Sequence, residues 1–153
     1  MDFAVRPMTA ADAHAIAAWR YPEPYSFYDW DRDAEDLAEL LDPSEWGRRY
    51  FASDLAGLGL AGFFVFKPVG DVVEIGLGLR PDLTGRGMGG TYLEAGLRFA
   101  AGTFEAEQFA LAVAAFNARA IAVYRRAGFC EVERYEHATN GGLHEFVCMT
   151  RPV

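Results

Sequence analysis

Glycines at positions 85, 87, 89 and 90 surround a single arginine, Arg86, within the segment Leu79–Gly90, LRPDLTGRGMGG. Alternate glycines strip side chains from a patch of backbone, so its amide protons can approach a ligand closely. A mostly apolar run, Val72–Leu79, leads into the segment and reads as a strand. Thr91–Ala101 follows it with Leu93, Leu97 and Ala100 at helical spacing. Amides at the start of such a helix have no internal partner, and the local dipole is positive. The chemistry favoured there is phosphate binding.

Several phosphate loops can be compared with it. Gly85-x-Gly87-x-x-Gly90 matches the letters of the dinucleotide fingerprint, and Glu105 stands about twenty residues on. In that fold, however, the first glycine follows the strand at once, whereas Arg80–Thr84 intervene here. Glu105 and Glu107 also precede the next apolar run instead of ending it. A P-loop is excluded because no Gly-Lys-Ser/Thr closes the segment. RPDLTGRGMGG instead resembles motif A of the GNAT superfamily of N-acetyltransferases, whose core is Arg/Gln-x-x-Gly-x-Gly/Ala. The register here runs Thr84-Gly85-Arg86-Gly87-Met88-Gly89, with Thr84 at the place of the Arg or Gln. A second stretch, Asn117–Phe129, NARAIAVYRRAGF, resembles motif B of the same superfamily, Asn-x-x-Ala-x-x-x-Tyr-x-Lys/Arg-x-Gly-Phe. It supplies Asn117, Ala120, Tyr124, Arg126, Gly128 and Phe129 in register. Two motifs in the right order, with a strand between them, are far more specific than either alone. A glycine-rich turn before a helix is the plain alternative for the first.

The resemblance implies acetyl-CoA as co-substrate, its diphosphate held by Thr84, Gly85, Arg86, Gly87, Met88, Gly89 and Gly90. It implies contacts from Asn117, Ala120, Tyr124 and Arg126, and main-chain contacts from Leu77 and Leu79 to the pantetheine arm. It also implies that the strand before the loop bulges and splays from its parallel neighbour, Gly76 and Gly78 being the residues that permit this. Acyl transfer to an amine needs a neutral nucleophile and a proton for the departing thiolate. An alkylammonium near pKa 10.4 is neutral about once in several thousand at pH 7, a cost of roughly 4 to 5 kcal/mol. Glu74 is the candidate base, directly or through water, its place resembling the glutamate on the equivalent strand of many members; a strand carboxylate paired with an arginine is the alternative. Tyr124, on the face of its helix shared with Asn117, is the general acid that the resemblance implies, set against a tyrosine that only packs. Asn117 is placed to cap its helix.

The elements around these residues follow from pattern. Phe3–Arg6 reads as an edge strand and Ala10–Arg20 as a helix capped by Thr9 with Asp12 in its first turn. Tyr21–Trp30, YPEPYSFYDW, opposes helix through Pro22 and Pro24; its aromatics either line a substrate pocket or roof the core. Asp33–Leu41 reads as a helix, and Trp46–Ser53, Leu60–Lys67 and Val72–Leu79 as an antiparallel meander. Gln108–Ala115 reads as a buried strand and Asn117–Arg126 as a helix closed by Gly128. Cys130–His137 and His144–Arg151 read as a hairpin around Asn140-Gly141-Gly142. One parallel pair among antiparallel strands gives a mixed, mostly antiparallel central sheet with helices on both faces, class α+β.

The 153 residues fit a single domain, 1–153, with 52% hydrophobic and 24% charged residues. No apolar run nears bilayer length, and the polar-interrupted N-terminus does not read as a signal peptide. Cys130 and Cys148 read as core thiols in a reducing cytoplasm, and His14, His137 and His144 have no metal spacing. A net charge of −8 argues against nucleic-acid binding. It also requires the loop amides, Arg80 and Arg86 to supply local positive potential for a polyanionic cofactor. Asp29, Asp31, Asp33, Glu35, Asp36 and Glu39 read as a solvated acidic face, with attraction of an amine as its further role. The expectation is thus an N-acetyltransferase acting by direct attack of a primary amine, small-molecule or protein-borne. A non-catalytic acyl-CoA-binding module and a dinucleotide-binding domain are the competing readings. Acceptor, acyl length and oligomeric state stay open, a homodimer being the assembly common among GNAT proteins.

Overall fold

The computed structural model describes residues 2–153. Among the described residues the strands are β1 (Phe3–Pro7), β2 (Tyr50–Leu55), β3 (Gly59–Val69), β4 (Val72–Leu79), β5 (Gln108–Ala114), β6 (Cys130–Thr139) and β7 (Gly142–Pro152). The helices are α1 (Ala10–Ala17), α2 (Ala34–Leu40), α3 (Gly89–Thr103) and α4 (Ala118–Arg126). The strands form a seven-stranded sheet in the order β1-β2-β3-β4-β5-β7-β6. β4 and β5 are parallel, joined through α3 as a parallel pair requires, and every other neighbouring pair is antiparallel.

Alternation along β3 and β4 divides the core between the two faces of the sheet. Phe64, Phe66, Val73 and Ile75 pack with Tyr92, Leu93, Leu97 and Ala100 of α3 and Ile121 of α4. Phe63 and Val65 lie against the cluster that contains Ile16 of α1 and Leu40 of α2. Helices therefore cover both faces, the α+β arrangement read from pattern. α1 begins with a full capping box, in which Thr9 and Asp12 each satisfy the other's main-chain amide. Arg6 of β1 then bridges Asp12 and Asp54 of β2 at 2.6 and 2.7 Å, tying α1 to the sheet edge.

Some boundaries differ from the sequence reading. α1 ends at Ala17, short of Arg20, and β2 starts at Tyr50, not Trp46. Trp46 is instead buried behind a short turn, its Nε1 donating to the Leu40 carbonyl at 3.0 Å. The cysteines are not core thiols: Cys130 is exposed and Cys148 only half-buried. Both belong to the outer hairpin, where β6 has a neighbour on one side alone.

The expected bulge in β4 is absent, since its register with β3 runs unbroken from Val72 to Leu79. Gly78 serves a different purpose. A Cβ there would stand 2.4 Å from Cε1 of Phe63, so the glycine makes room for a ring from the neighbouring strand. Tyr92, 1% exposed, donates its hydroxyl to the carbonyls of Phe63 and Gly78 and pins the two strands together. The opening lies on the other side of β4. β4 and β5 pair only at Val72–Gln108, Val73–Phe109 and Glu74–Ala110, and beyond those positions they part.

Candidate functional site

The parted strands bound a cleft of about 390 Å³. Ile75–Leu79 form one wall, and Ala112, Val113, Asn117 and Tyr124 form the other. The aromatic segment after α1 supplies the roof through Tyr21, Tyr25, Phe27, Tyr28 and Trp30. The segment takes part in both roles open to it, since Trp30 also packs with Phe63 on the core cluster of α1 and α2. Tyr21 donates its hydroxyl to the Leu79 carbonyl at 2.6 Å, which fastens the roof to the end of β4 and uses an acceptor on Leu79.

At the mouth of the cleft lies the glycine segment. Gly85 and Gly87 have φ of +72° and +76°, the left-handed region that glycine enters without strain. Met88 caps α3 without any side-chain hydrogen bond. Among the described residues, no main-chain amide from Gly85 to Thr91 donates to another protein group. A row of free donors at the start of a fifteen-residue helix is a cradle for an anion. A side chain at Gly89 would press on Val123 of α4 at 3.3 Å, so that glycine sets how closely α3 and α4 approach.

The sequence-derived residues divide into groups. Leu77, Leu79, Thr84, Asn117 and Tyr124 line the cleft together. Thr84 turns its hydroxyl inward, donating to the Pro81 carbonyl at 2.7 Å, and so offers a ligand little beyond its backbone. Met88 packs its side chain against the cluster of Leu55, Ala61 and Leu83. Ala120 packs on the core. Gly90 and Arg126 face a separate groove between α3 and α4, which Phe3 and Glu94 also line. Arg86 is exposed. Arg80, expected to lend positive potential, is neutralised: its guanidinium grips both oxygens of Asp82 at 2.7 and 3.1 Å and also reaches the Leu60 carbonyl. Glu74 is exposed and stands outside the cleft lining, with no ion pair among the described residues.

Asn117 and Tyr124 occupy the centre of the far wall. Asn117, 8% exposed, caps α4 by accepting from the Ala120 amide at 3.1 Å. Its Nδ2 donates to the Tyr28 hydroxyl at 3.1 Å, so both ends of the amide are engaged within the protein. Tyr124 is half-buried, and desolvation drives its pKa up, with Tyr28 adding to the shift. The Tyr124 hydroxyl has no hydrogen bond to protein among the described residues and remains available in the cleft. Tyr28 is likewise raised by burial, against which the Asn117 amide acts.

Several lining residues were missed or misread from sequence. Asp29, Asp33 and Asp36 belong to the cleft, so the acidic stretch is only partly a solvated face. Asp33 is committed, capping α2 and accepting from Thr139 and from the Asn140 amide, and these bonds hold its pKa down. Asp36 is crowded by protein and by Asp33 and Glu39, and its pKa rises. His137, Phe146 and Arg119 also line the cleft. The run of acidic residues is visible in the sequence; the convergence of α2 with the β6–β7 hairpin is not.

No curated protein sequence matches the chain. The family model described as the acetyltransferase (GNAT) domain matches residues 2–130. Among solved structures, a spermidine N-acetyltransferase from Vibrio cholerae in complex with CoA and spermine superposes with a TM-score of 0.78 at 18% identity. That match covers 98% of this chain and 95% of the other. A GNAT-family acetyltransferase from Bacillus anthracis gives a TM-score of 0.76 at 16% identity, covering 99% and 95%. Identities this low speak for the fold alone. The family model covers most of the residues, and the chain belongs to the GNAT acetyltransferase family.

Proposed function

We propose that the protein is an N-acetyltransferase that moves the acetyl group of acetyl-CoA to a primary amine by direct attack. The observation that carries this reading is the wedge between β4 and β5, lined by Tyr124 and by Thr84, which directly precedes the free amides of Gly85–Thr91. Those amides suit a diphosphate, and the main chain of Ile75–Leu79 suits an extended pantetheine arm. Bound there, the thioester supplies an activated acyl carbon. Tyr124 then holds the proton that the departing sulfur needs. The amine approaches from the side of Asp29, Asp33 and Asp36, whose negative charge favours a cationic acceptor. Glu74 lies on the same face of β4 as Gly76 by strand alternation, and is the base proposed to take the amine's proton through water. The Vibrio cholerae neighbour is named for spermidine, which makes polyamines the first acceptors to try.

The test is thiol release from acetyl-CoA with a panel of amines that includes spermidine, spermine, amino acids and peptide N-termini. Turnover with at least one amine is expected, falling about a hundredfold or more in kcat for Tyr124→Phe with little change in KM for acetyl-CoA. A loss of similar kind in Glu74→Gln supports the base assignment, and an unchanged rate removes it. Tight CoA binding without turnover of any amine would replace the enzyme with an acyl-CoA-binding module.

A further inference from the structure

We infer that Arg119 is the cation that fixes the diphosphate of the CoA thioester, and that Tyr25 of the cleft roof holds it in position. The inference rests on the acetyl-CoA reading above. Arg119 projects from the first turn of α4, across the cleft mouth from the glycine segment. Its Nη1 lies 3.5 Å from where a Cβ on Gly85 would stand, so the guanidinium sits beside the first residue of the row of free amides. Its Cζ lies 4.1 Å from the centroid of the Tyr25 ring, a close cation–π stack. Tyr25 is supported in turn by Phe116, with ring centroids 6.3 Å apart.

The Tyr25 ring leaves the N–H donors of the exposed Arg119 guanidinium without a protein acceptor among the described residues. A positive side chain in the first turn of a helix opposes the helix dipole. Among the described residues Arg119 forms no ion pair that would offset this. The chain carries a net charge of −8, and Arg80 is spent on Asp82, so a polyanion finds few free cations near the loop. A diphosphate seated on the Gly85–Thr91 amides gives the guanidinium a partner of matching fork geometry. The stack on Tyr25 limits the side chain's freedom beforehand, which reduces what binding must order.

The test is calorimetric titration of the purified chain with CoA, alongside steady-state KM for acetyl-CoA and for acetyl-pantetheine, which lacks the diphosphate. Arg119→Met is expected to weaken CoA about ten- to a hundredfold, with Arg119→Lys in between, and to leave the KM for acetyl-pantetheine unchanged. Tyr25→Leu is expected to weaken CoA several-fold while Tyr25→Phe, which keeps the ring, binds as the native chain does. A loss below threefold in Arg119→Met, or an equal loss with acetyl-pantetheine, overturns the role of Arg119. Equal affinities in Tyr25→Leu and Tyr25→Phe overturn the positioning role of Tyr25. Failure of the native chain itself to bind CoA would remove the acetyl-CoA reading, a result distinct from either.

Discussion

Burial lifts the Tyr124 phenol above its ordinary value near 10, so its proton stays in place across the physiological range. The sign of the consequence follows from the acidic form being the useful one. That form is lost only as pH rises through the raised pKa, so loss of the donor cannot lower the rate below about pH 10. The fraction of neutral amine grows with pH over the same range. The profile of kcat/KM should therefore climb from pH 6 to 10 without a descending limb; a fall centred near 8 would assign the proton donor to another group. Proton transfer from a phenol to a thiolate of pKa about 8.5 is uphill by roughly 2 kcal/mol or more. Asn117 and Tyr124 stand out in the sequence through the resemblance of Asn117–Phe129 to a GNAT motif, and the fold brings both to the cleft lining. Arg119 lies in that same stretch but was passed over, since its meaning depends on Tyr25 and Gly85, which only the folded chain brings near.

Among the elements, α3 and β4 set the geometry of the cleft, and each relies on a glycine for packing. A Cβ at Gly96 of α3 would stand 2.2 Å from Cε1 of Phe64, a fully buried ring on β3. Gly96→Ala therefore overpacks the layer between helix and sheet, at a cost of about 1 to 3 kcal/mol. Thermal unfolding should show the midpoint falling by several degrees, at about 3 °C per kcal/mol for a chain of this size. No comparable drop is expected for Gly102→Ala, where no atom lies within 4 Å of the added carbon. The order of strands and helices is legible because Val72–Leu79 and Gln108–Ala115 are apolar runs and the segment after the glycines has helical spacing. The bulge expected at Gly76 and Gly78 failed for a reason that sequence hides. A glycine opened by a bulge and a glycine covered by a cross-strand ring look alike until Phe63 is seen above Gly78.

At the scale of the whole molecule, charge is unevenly spread across the cleft. Asp29, Asp33 and Asp36 stand among its lining, whereas Arg119 and the free amides stand at its glycine mouth. Added to a net charge of −8, this distribution draws cations toward the acceptor side. The KM of a polycationic acceptor should rise steadily between 0.01 and 0.5 M salt, as the Debye length shrinks from about 30 Å to a few ångströms; a flat response would mean that the acidic field has no part in capture. The sheet itself carries a deeper implication. With β4 and β5 meeting at three residue pairs, the molecule is two half-sheets stapled at one end, like a book held open at its spine. An extended guest laid along Ile75–Leu79 would serve as the missing rung, joining the pages that the chain leaves unjoined. Amide hydrogen exchange at Gly76–Leu79 and Ala112–Ala114 should slow sharply once CoA is added, while the β1–β2 margin keeps its unliganded pace.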